Sequence, residues 1–446
     1  MAKDTTSDSA QQYVSVDELR IGLFVHVDLP WFRHPFALNS FRIVSEEQIQ
    51  ALRALGKARF RFDPARSLSP GEAETAPAET PGEADVISID SPGDPPPPPP
   101  AREPPAPRTE KERRAHRMEE RRQRIGEVNL AFRKSAALLR NLNRGLMSDS
   151  AGTLREIGGF VDQMAQVFLE HPEVTLHLMG EERWSEDLYS HHLNIAVLAM
   201  MVAKALDFSA EETRLLGQGA LLHDIGLMKV PTRLLKMRPD ELTQAERELR
   251  AMHCEYGLRL GRELGLPEAV LRIIFQHHEM VDGSGYPLGI KGEEIALPAR
   301  VVSLVNYYEK LCNPDDPAQA MTPHGALSLM FGQRRGKFDA AALQRLIQCV
   351  GVYPPGSVVR LSDDSLALVV SVNHARPLRP WVMIYDSRVP REEAVFLDLE
   401  RETGLNIVGA LRPAMLPPAA AAYLSPRRRV VYFFDAAAPI DQGEDA

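Results

Sequence analysis

Gly219-Ala220-Leu221-Leu222-His223-Asp224-Ile225-Gly226 is an apolar run that ends on an imidazole and a carboxylate side by side. The run reads as the end of a helix packed on a core, which places His223 and Asp224 near a helix terminus and against apolar neighbours. Polar groups in such a position need partners. Working outward, His191 with His192, His253, and His277 with His278 recur along the same helical stretch, each at the edge of an apolar segment. Asp187 precedes His191 by four positions, which puts a carboxylate and an imidazole on one face of a helix. A lone buried histidine is usually a hydrogen-bonded core residue. A set this dense, with two acids, points to a metal site instead. Imidazole with carboxylate suits Fe, Mn, Zn or Ni, and the absence of cysteine from this set argues against a structural zinc.

Helical periodicity dominates from about Leu154 to Cys349. Ser209 with Glu212 and Thr243 with Glu246 are capping boxes that open helices, and Gly265 and Pro267 end one helix and start the next. The remainder of the chain divides by composition. Residues 13–63 read as a small α/β module: a strand Leu23 to Val27, aromatics at Trp31, Phe32, Phe36 and Phe41, a helix capped by Ser45 with Gln48, and a strand Ala58 to Phe62. The aromatics are assigned to that module's core rather than to a partner surface. Residues 64–108 are a proline-rich linker, with the run Pro95 to Pro100 and no Phe, Trp or Tyr, and are expected to be disordered. Residues 109–150 form a helix that is charged at first and amphipathic from Ile125. Its acids offset its bases and no aromatics interleave, so it reads as a solvated helix rather than a nucleic-acid arm. Residues 151–350 are the main helical domain. Residues 351–435 carry short β-rich runs at Ser357 to Leu361, Leu366 to Val372, Trp381 to Tyr385, Ala394 to Leu399 and Val430 to Phe434. The fold class expected is mainly α, a helical bundle with a small N-terminal α/β module and a small C-terminal β extension.

The totals exclude several classes. A formal charge of −9 and a pI near 5.9 give no general attraction to nucleic acid or to an anionic membrane. Cys254, Cys312 and Cys349 have no paired spacing, so no disulfide framework is expected and a reducing compartment fits. The most apolar run, Leu193 to Leu206, is interrupted by Asn194 and Lys204 and is shorter than the roughly 20 residues of a membrane span. The N-terminus lacks a signal peptide's apolar stretch. The expected location is the cytoplasm, with no DNA partner and no membrane span.

The segment His277-His278-Glu279-Met280-Val281-Asp282-Gly283-Ser284-Gly285-Tyr286-Pro287 completes the pattern. With Asp187-xxx-His191 and Asn194 after it, His223-Asp224-Ile225-Gly226 and His253-xxx-Gly257, it resembles the HD-GYP family of the HD superfamily. Members of that family are metal-dependent phosphodiesterases of cyclic di-GMP. The N-terminal block resembles the small uncharacterised domain that often precedes such domains, and the C-terminal block a β extension of many members. The resemblance covers roughly Leu154 to Cys349. It implies a fold of HD type and metal ligands at His191, His223, Asp224, His253, His277 and His278. Asp187 is then a third-metal ligand, and Gly285, Tyr286 and Pro287 form a loop over the substrate. It implies two or three divalent transition metals, Fe or Mn foremost, and a signalling enzyme with His223 and Asp224 as catalytic residues. The reaction would be attack of a hydroxide on phosphorus, giving linear pGpG or GMP.

Three positions depart from the family. Leu227 stands where members have lysine, and Lys229 is the only nearby cation. Asn306 stands where an aspartate ligand is expected. Asn313-Pro314-Asp315-Asp316-Pro317 replaces a basic stretch that holds phosphate. His192 is not counted as a ligand, and His26, His34, His116, His171, His177, His324 and His374 are assigned to surface or packing. A weakened regulator that binds without turnover, or a hydrolase of another phosphoester, stay open as alternatives. A homodimer through helices near Arg121 to Leu142, or a signalling-protein partner, is the expected assembly.

Overall fold

The computed structural model describes residues 12–29, 34, 36, 40–64, 66–68, 110–140, 142–171, 174–179, 188–238, 241–373, 376–402, 404–424 and 429–436. Asp187, Trp31, Phe32, His116's side chain, His374 and nearly all of the proline-rich linker fall outside them. The chain forms two compact units, residues 1–139 and 140–446.

In the first unit, β1 (Gln12–Ser15), β2 (Phe24–His26), β3 (Ser40–Arg42) and β4 (Arg59–Phe62) make an antiparallel sheet in the order β1-β4-β2-β3. Helix α1 (Glu46–Ala54) starts where Ser45 accepts from the Gln48 amide, while Gln48 accepts from the Val44 amide at 2.8 Å. The reciprocal bonds satisfy two donors that a helix start leaves free. Val25, Ile43, Ile49, Leu52 and Phe60 are the buried centre, and Phe36 joins them against Phe41. Phe36 is therefore core, as its sequence suggests. Helix α2 (Glu110–Arg140) closes this part of the chain.

The second unit is built on α3 (Leu142–Ser148), α4 (Ser150–Glu170), α5 (Leu188–Ala205), α6 (Ala210–Leu222), α7 (Thr232–Lys236), α8 (Gln244–Ala251), α9 (His253–Glu263), α10 (Glu268–Gln276), α11 (Leu297–Cys312), α12 (Pro323–Gln333) and α13 (Ala340–Val350). Both capping boxes are present, Ser209 with Glu212 and Thr243 with Glu246. Every residue from Leu193 to Val202 is almost fully buried, so α5 is enclosed on all sides. A helix that is apolar all round can exist in water only in that position.

The β extension is there, and it reaches further than expected. Strands β6 (Val358–Leu361), β7 (Leu366–Asn373), β8 (Trp381–Ile384), β9 (Phe396–Asp398), β10 (Ile407–Leu411) and β11 (Tyr432–Ala436) share one sheet with β5 (Val174–Leu178). The uninterrupted helical reading from Leu154 to Cys349 is corrected at β5, which lies between β7 and β11. Five residues are too few to break a helical period over a long window, and only pairing with distant strands makes them a strand. Tyr432 pairs with Leu178 and Ala436 with Val174, and Phe434 stacks on Phe168 of α4 at 4.3 Å. The chain's last described strand is thus part of the helical unit's core.

Candidate metal centre

His223 is the C-cap of α6 and His277 the C-cap of α10, while His253 opens α9 directly after α8 ends. The last carbonyls of a helix lack intrahelical partners. Here each is met by a histidine. Nδ1 of His223 lies 2.8 Å from the Ala220 carbonyl, Nδ1 of His253 2.7 Å from that of Arg250, and Nδ1 of His277 2.7 Å from that of Ile274. A carbonyl can only accept, so each Nδ1 carries a proton, and in the neutral ring the lone pair is then at Nε2. His191 is fixed the same way by a carboxylate: its Nδ1 donates to Glu309 Oε2 at 2.7 Å.

The four Nε2 atoms converge in pairs. His253 and His277 approach to 3.2 Å, and so do His191 and His223. With each Nδ1 donating outward, the Nε2 atoms of a pair face each other. Two nitrogens each about 2.1 Å from one ion stand about 3.0–3.4 Å apart for bond angles between square and tetrahedral. Asp224 lies between the pairs. Its Oδ1 is 3.3 Å from His253 Nε2 and 3.4 Å from His277 Nε2, and its Oδ2 is 3.3 Å from His223 Nε2 and 3.8 Å from His191 Nε2. Two ligand groups result, Asp224 with His253, His277 and His278, and Asp224 with His191 and His223. In each, the donor atoms lie within 4.8 Å of one another.

Gly226 explains how Asp224 comes to face His253. A Cβ there would sit 1.9 Å from the His253 carbonyl oxygen and 2.4 Å from the Gly257 nitrogen. The short 3-10 turn Ile225–Lys229 therefore packs backbone to backbone on α9. Any side chain would push the two halves of the site apart.

The protonation states suit ligation. Burial resists the charge on Asp224, yet the His223, His253 and His277 rings hold its carboxyl well below the usual range. Burial lowers His277 to about 3 and, with the charge of His277, pushes His278 well below its ordinary value. Those two imidazoles are neutral at pH 7 and need not release a proton to bind a cation. Asp224 Oδ1 and Asn306 Oδ1 are buried with no hydrogen-bond donor. Orphaned acceptors among bare imidazole nitrogens fit a divalent cation, and the donor set suits a first-row transition metal.

Of the residues singled out in the sequence, the structure brings together His191, His223, Asp224, His253, His277 and His278. Asp187 lies outside the described residues. Asn306 is buried on α11, three residues before Glu309 and three after Ser303. Ser303 donates to the Glu279 carbonyl at 2.8 Å and Glu309 holds His191, so Asn306 is on the helix face turned to the site. His192 packs on His191 and His223, with ring centroids 5.5 and 5.2 Å away. Leu227 joins a small apolar cluster with Val230, Leu234 and Leu242.

The loop at Gly285, Tyr286 and Pro287 folds back over this centre. Tyr286 stacks on His278 with ring centroids 4.5 Å apart, and its amide donates to the His278 carbonyl. Gly285 is there because a Cβ would meet the Met280 nitrogen at 2.3 Å and the His278 oxygen at 2.4 Å. Glu279 Oε1 accepts from the amides of Leu288 and Gly289, and Lys337 bridges to Ser284 and Asp282.

Sequence reasoning passed over Glu309, Glu279, Arg250 and Lys310. The first has a local signal, an acid one turn beyond Asn306. The cations do not, because their proximity is tertiary. Lys310's charge acts on His278 and Arg250's on Tyr286, so the site is not without positive charge. Arg250 also pairs with Asp315 at 3.5 Å.

Comparison with known proteins agrees with this geometry. Residues 171–342 match the HD domain, 11–157 a domain of unknown function, and 358–417 a KOW domain associated with HD domains. Residues 171–342 are thus similar to HD domains, and the chain is a metal-dependent phosphodiesterase. It is 28% identical over 408 residues to a cyclic di-GMP phosphodiesterase of Pseudomonas aeruginosa, covering 90% of this chain and 92% of that one. A cyclic di-GMP phosphodiesterase response regulator of Xanthomonas campestris is 33% identical over 153 residues, 34% of this chain and 40% of the relative. A 3'3'-cGAMP-specific phosphodiesterase of Vibrio cholerae is 29% identical over 164 residues, 37% of this chain and 35% of that one. No helix among the described residues is long and apolar enough to cross a membrane.

Proposed function

We propose that this chain hydrolyses cyclic di-GMP at a site of two metal ions, with Asp224 shared between them. The observation that carries this reading is the split of one carboxylate, Oδ1 toward His253 and His277 and Oδ2 toward His191 and His223. The near-full-length likeness to a relative named as a cyclic di-GMP phosphodiesterase supports the substrate. The proposed ligands of these two ions are His191, His223, Asp224, His253, His277 and His278, with Asn306 adding a neutral oxygen; Asp187 would serve a third ion beyond them.

Divalent metals at such a site lower the pKa of water to near neutrality and neutralise charge developing on a phosphoryl oxygen. The chain's own residues do the rest. The three capping carbonyls and Glu309 each accept from an Nδ1, which leaves every Nε2 aimed inward. Asp224 is ionised and holds the two groups in register. Tyr286, stacked on His278 and 38% exposed, offers a flat face to a base of the substrate. Arg250 and Lys310 supply the phosphate contacts that Leu227 and Asn313 to Pro317 lack. The product is linear pGpG, or GMP after a second cut.

Chain loaded with Mn(II), offered cyclic di-GMP and 3'3'-cGAMP in parallel and followed by chromatography, tests the reading. Preferred turnover of cyclic di-GMP, abolished in Asp224→Ala, is the expected result. Two bound metals with no turnover of cyclic di-GMP would reject it. The neutral Asn306 favours a second reading, a slow-turnover regulator, and turnover restored by Asn306→Asp would support that.

A further inference from the structure

Asn313, which looks in the sequence like the start of a lost phosphate clamp, has a different task. It caps α11, and each of its side-chain hydrogen-bonding groups is used. Nδ2 donates to Glu309 Oε1 at 2.8 Å and to the Val430 carbonyl at 2.8 Å, while Oδ1 accepts from the Val430 amide at 2.7 Å. The amide thus pairs with residue 430 as a neighbouring strand would. Asn194 on α5 repeats the device. Its Nδ2 donates to the same Val430 carbonyl at 2.9 Å, and its Oδ1 accepts from the Tyr432 amide at 2.8 Å. Below them, the buried Tyr308 and Tyr432 hydroxyls meet at 3.0 Å, and Tyr432 reaches on to the Pro355 carbonyl at 3.2 Å. Strand β11 is therefore fastened to the two helices that carry His191 and Glu309, close to those residues in each.

The contacts run in one unbroken line. Val430 holds Asn313, Asn313 holds Glu309 Oε1, Glu309 Oε2 holds Nδ1 of His191, and His191 presents Nε2 beside His223. Glu309 is buried, with one oxygen accepting from His191 and the other from Asn313. If Val430 leaves, Asn313 loses two of its three bonds and Glu309 loses a fixed donor. Among the described residues His253 and His277 are oriented instead by carbonyls three residues earlier in the chain, those of Arg250 at the end of α8 and Ile274 in α10.

We infer that the C-terminal strand is a positioning element for one half of the metal centre, coupling the docking of Val430 to Tyr432 to cation affinity at His191 and His223 through Asn313 and Glu309. Asn313 is the positioning residue of this coupling. The inference rests on the reading that each ligand group takes its own ion. Partners that orient a metal-binding histidine are worth roughly 10- to 100-fold in metal affinity. Coupling between two events is reciprocal, so cation binding must also hold the strand.

Titration of the full chain with Mn(II), followed by calorimetry and elemental analysis, tests both levels. Fewer than two Mn(II) per wild-type chain would overturn the two-ion reading and the coupling with it. Given two, Asn313→Ala is expected to weaken one of them roughly 10- to 100-fold and leave the other unchanged. Equal affinities in Asn313→Ala and wild type would overturn the coupling alone. Hydrogen exchange on the wild-type chain needs no variant and so decides even if Asn313→Ala fails to fold. The amides of Val430 and Tyr432 are expected to slow on adding Mn(II), by more than those of Trp381 to Ile384 in β8. An equal response of both sets would overturn the proposal.

Discussion

The two halves of the metal centre are made by opposite means. On one side, His253 and His277 each bond to a carbonyl three residues earlier, so the adjoining turn of chain aims each ring. On the other, His223 follows that rule, but His191 is aimed by Glu309, 118 residues away, and through it by the C-terminal strand. Local orientation costs little and is present as soon as the helix forms. Long-range orientation exists only when the tertiary structure is complete. The difference teaches that one half of this centre is oriented by short-range bonds and the other partly by bonds between distant segments.

The comparison can be broken most completely at Asp224, the single residue common to both halves. Asp224→Ala is expected to release both ions, measured by elemental analysis, and to cut hydrolysis by at least about 10³-fold, the order lost when a group supporting transition-state charge is removed. Next in size are His277→Ala and His223→Ala. Each strips only its own half, so each is expected to leave one Mn(II) per chain, with turnover near background in both. Two retained ions in either variant would show that the halves are not separate.

Glu309→Gln sharpens the contrast without touching a ligand. It keeps the shape of the side chain but removes the charge that faces His191. Affinity for one ion is expected to fall roughly 10- to 100-fold while the other holds, and a loss shared equally by both would contradict the asymmetry. The smallest effect is expected at Lys310, whose charge reaches His278 from outside the ligand groups. Lys310→Ala is expected to raise KM for the dinucleotide a few-fold, the size of a partly exposed ionic contact worth about 1 kcal/mol, with metal content unchanged. An unchanged KM would remove Lys310 from the substrate contacts.

Much of this was legible residue by residue. The capping residues Ser209 and Thr243, the apolar α5 and the six ligand positions are short-range patterns that survive in one dimension. The i to i−3 bonds of His223, His253 and His277 are likewise implicit in where those histidines stand on their helices. Leu227 leaves its position without a cation, and the apolar cluster it joins with Val230, Leu234 and Leu242 is a tertiary feature that the sequence does not mark. Strand β5 was invisible for a related reason. Five residues state no preference strong enough to resist a helical context, and β7 and β11 decide it from 190 or more positions away.

What the sequence offered by itself was the chemistry available: an imidazole and a carboxylate at a helix end and further histidines along one helical stretch, with the ligand set and the glycine-tyrosine-proline loop implied by the resemblance to a known family. What only the tertiary structure decided was which groups serve the centre from a distance. Glu309, Asn313, Lys310 and the strand at Val430 to Tyr432 carry no mark of that role in one dimension. Their function is a matter of distances between segments far apart in the chain, and such distances are set by packing rather than by any local preference.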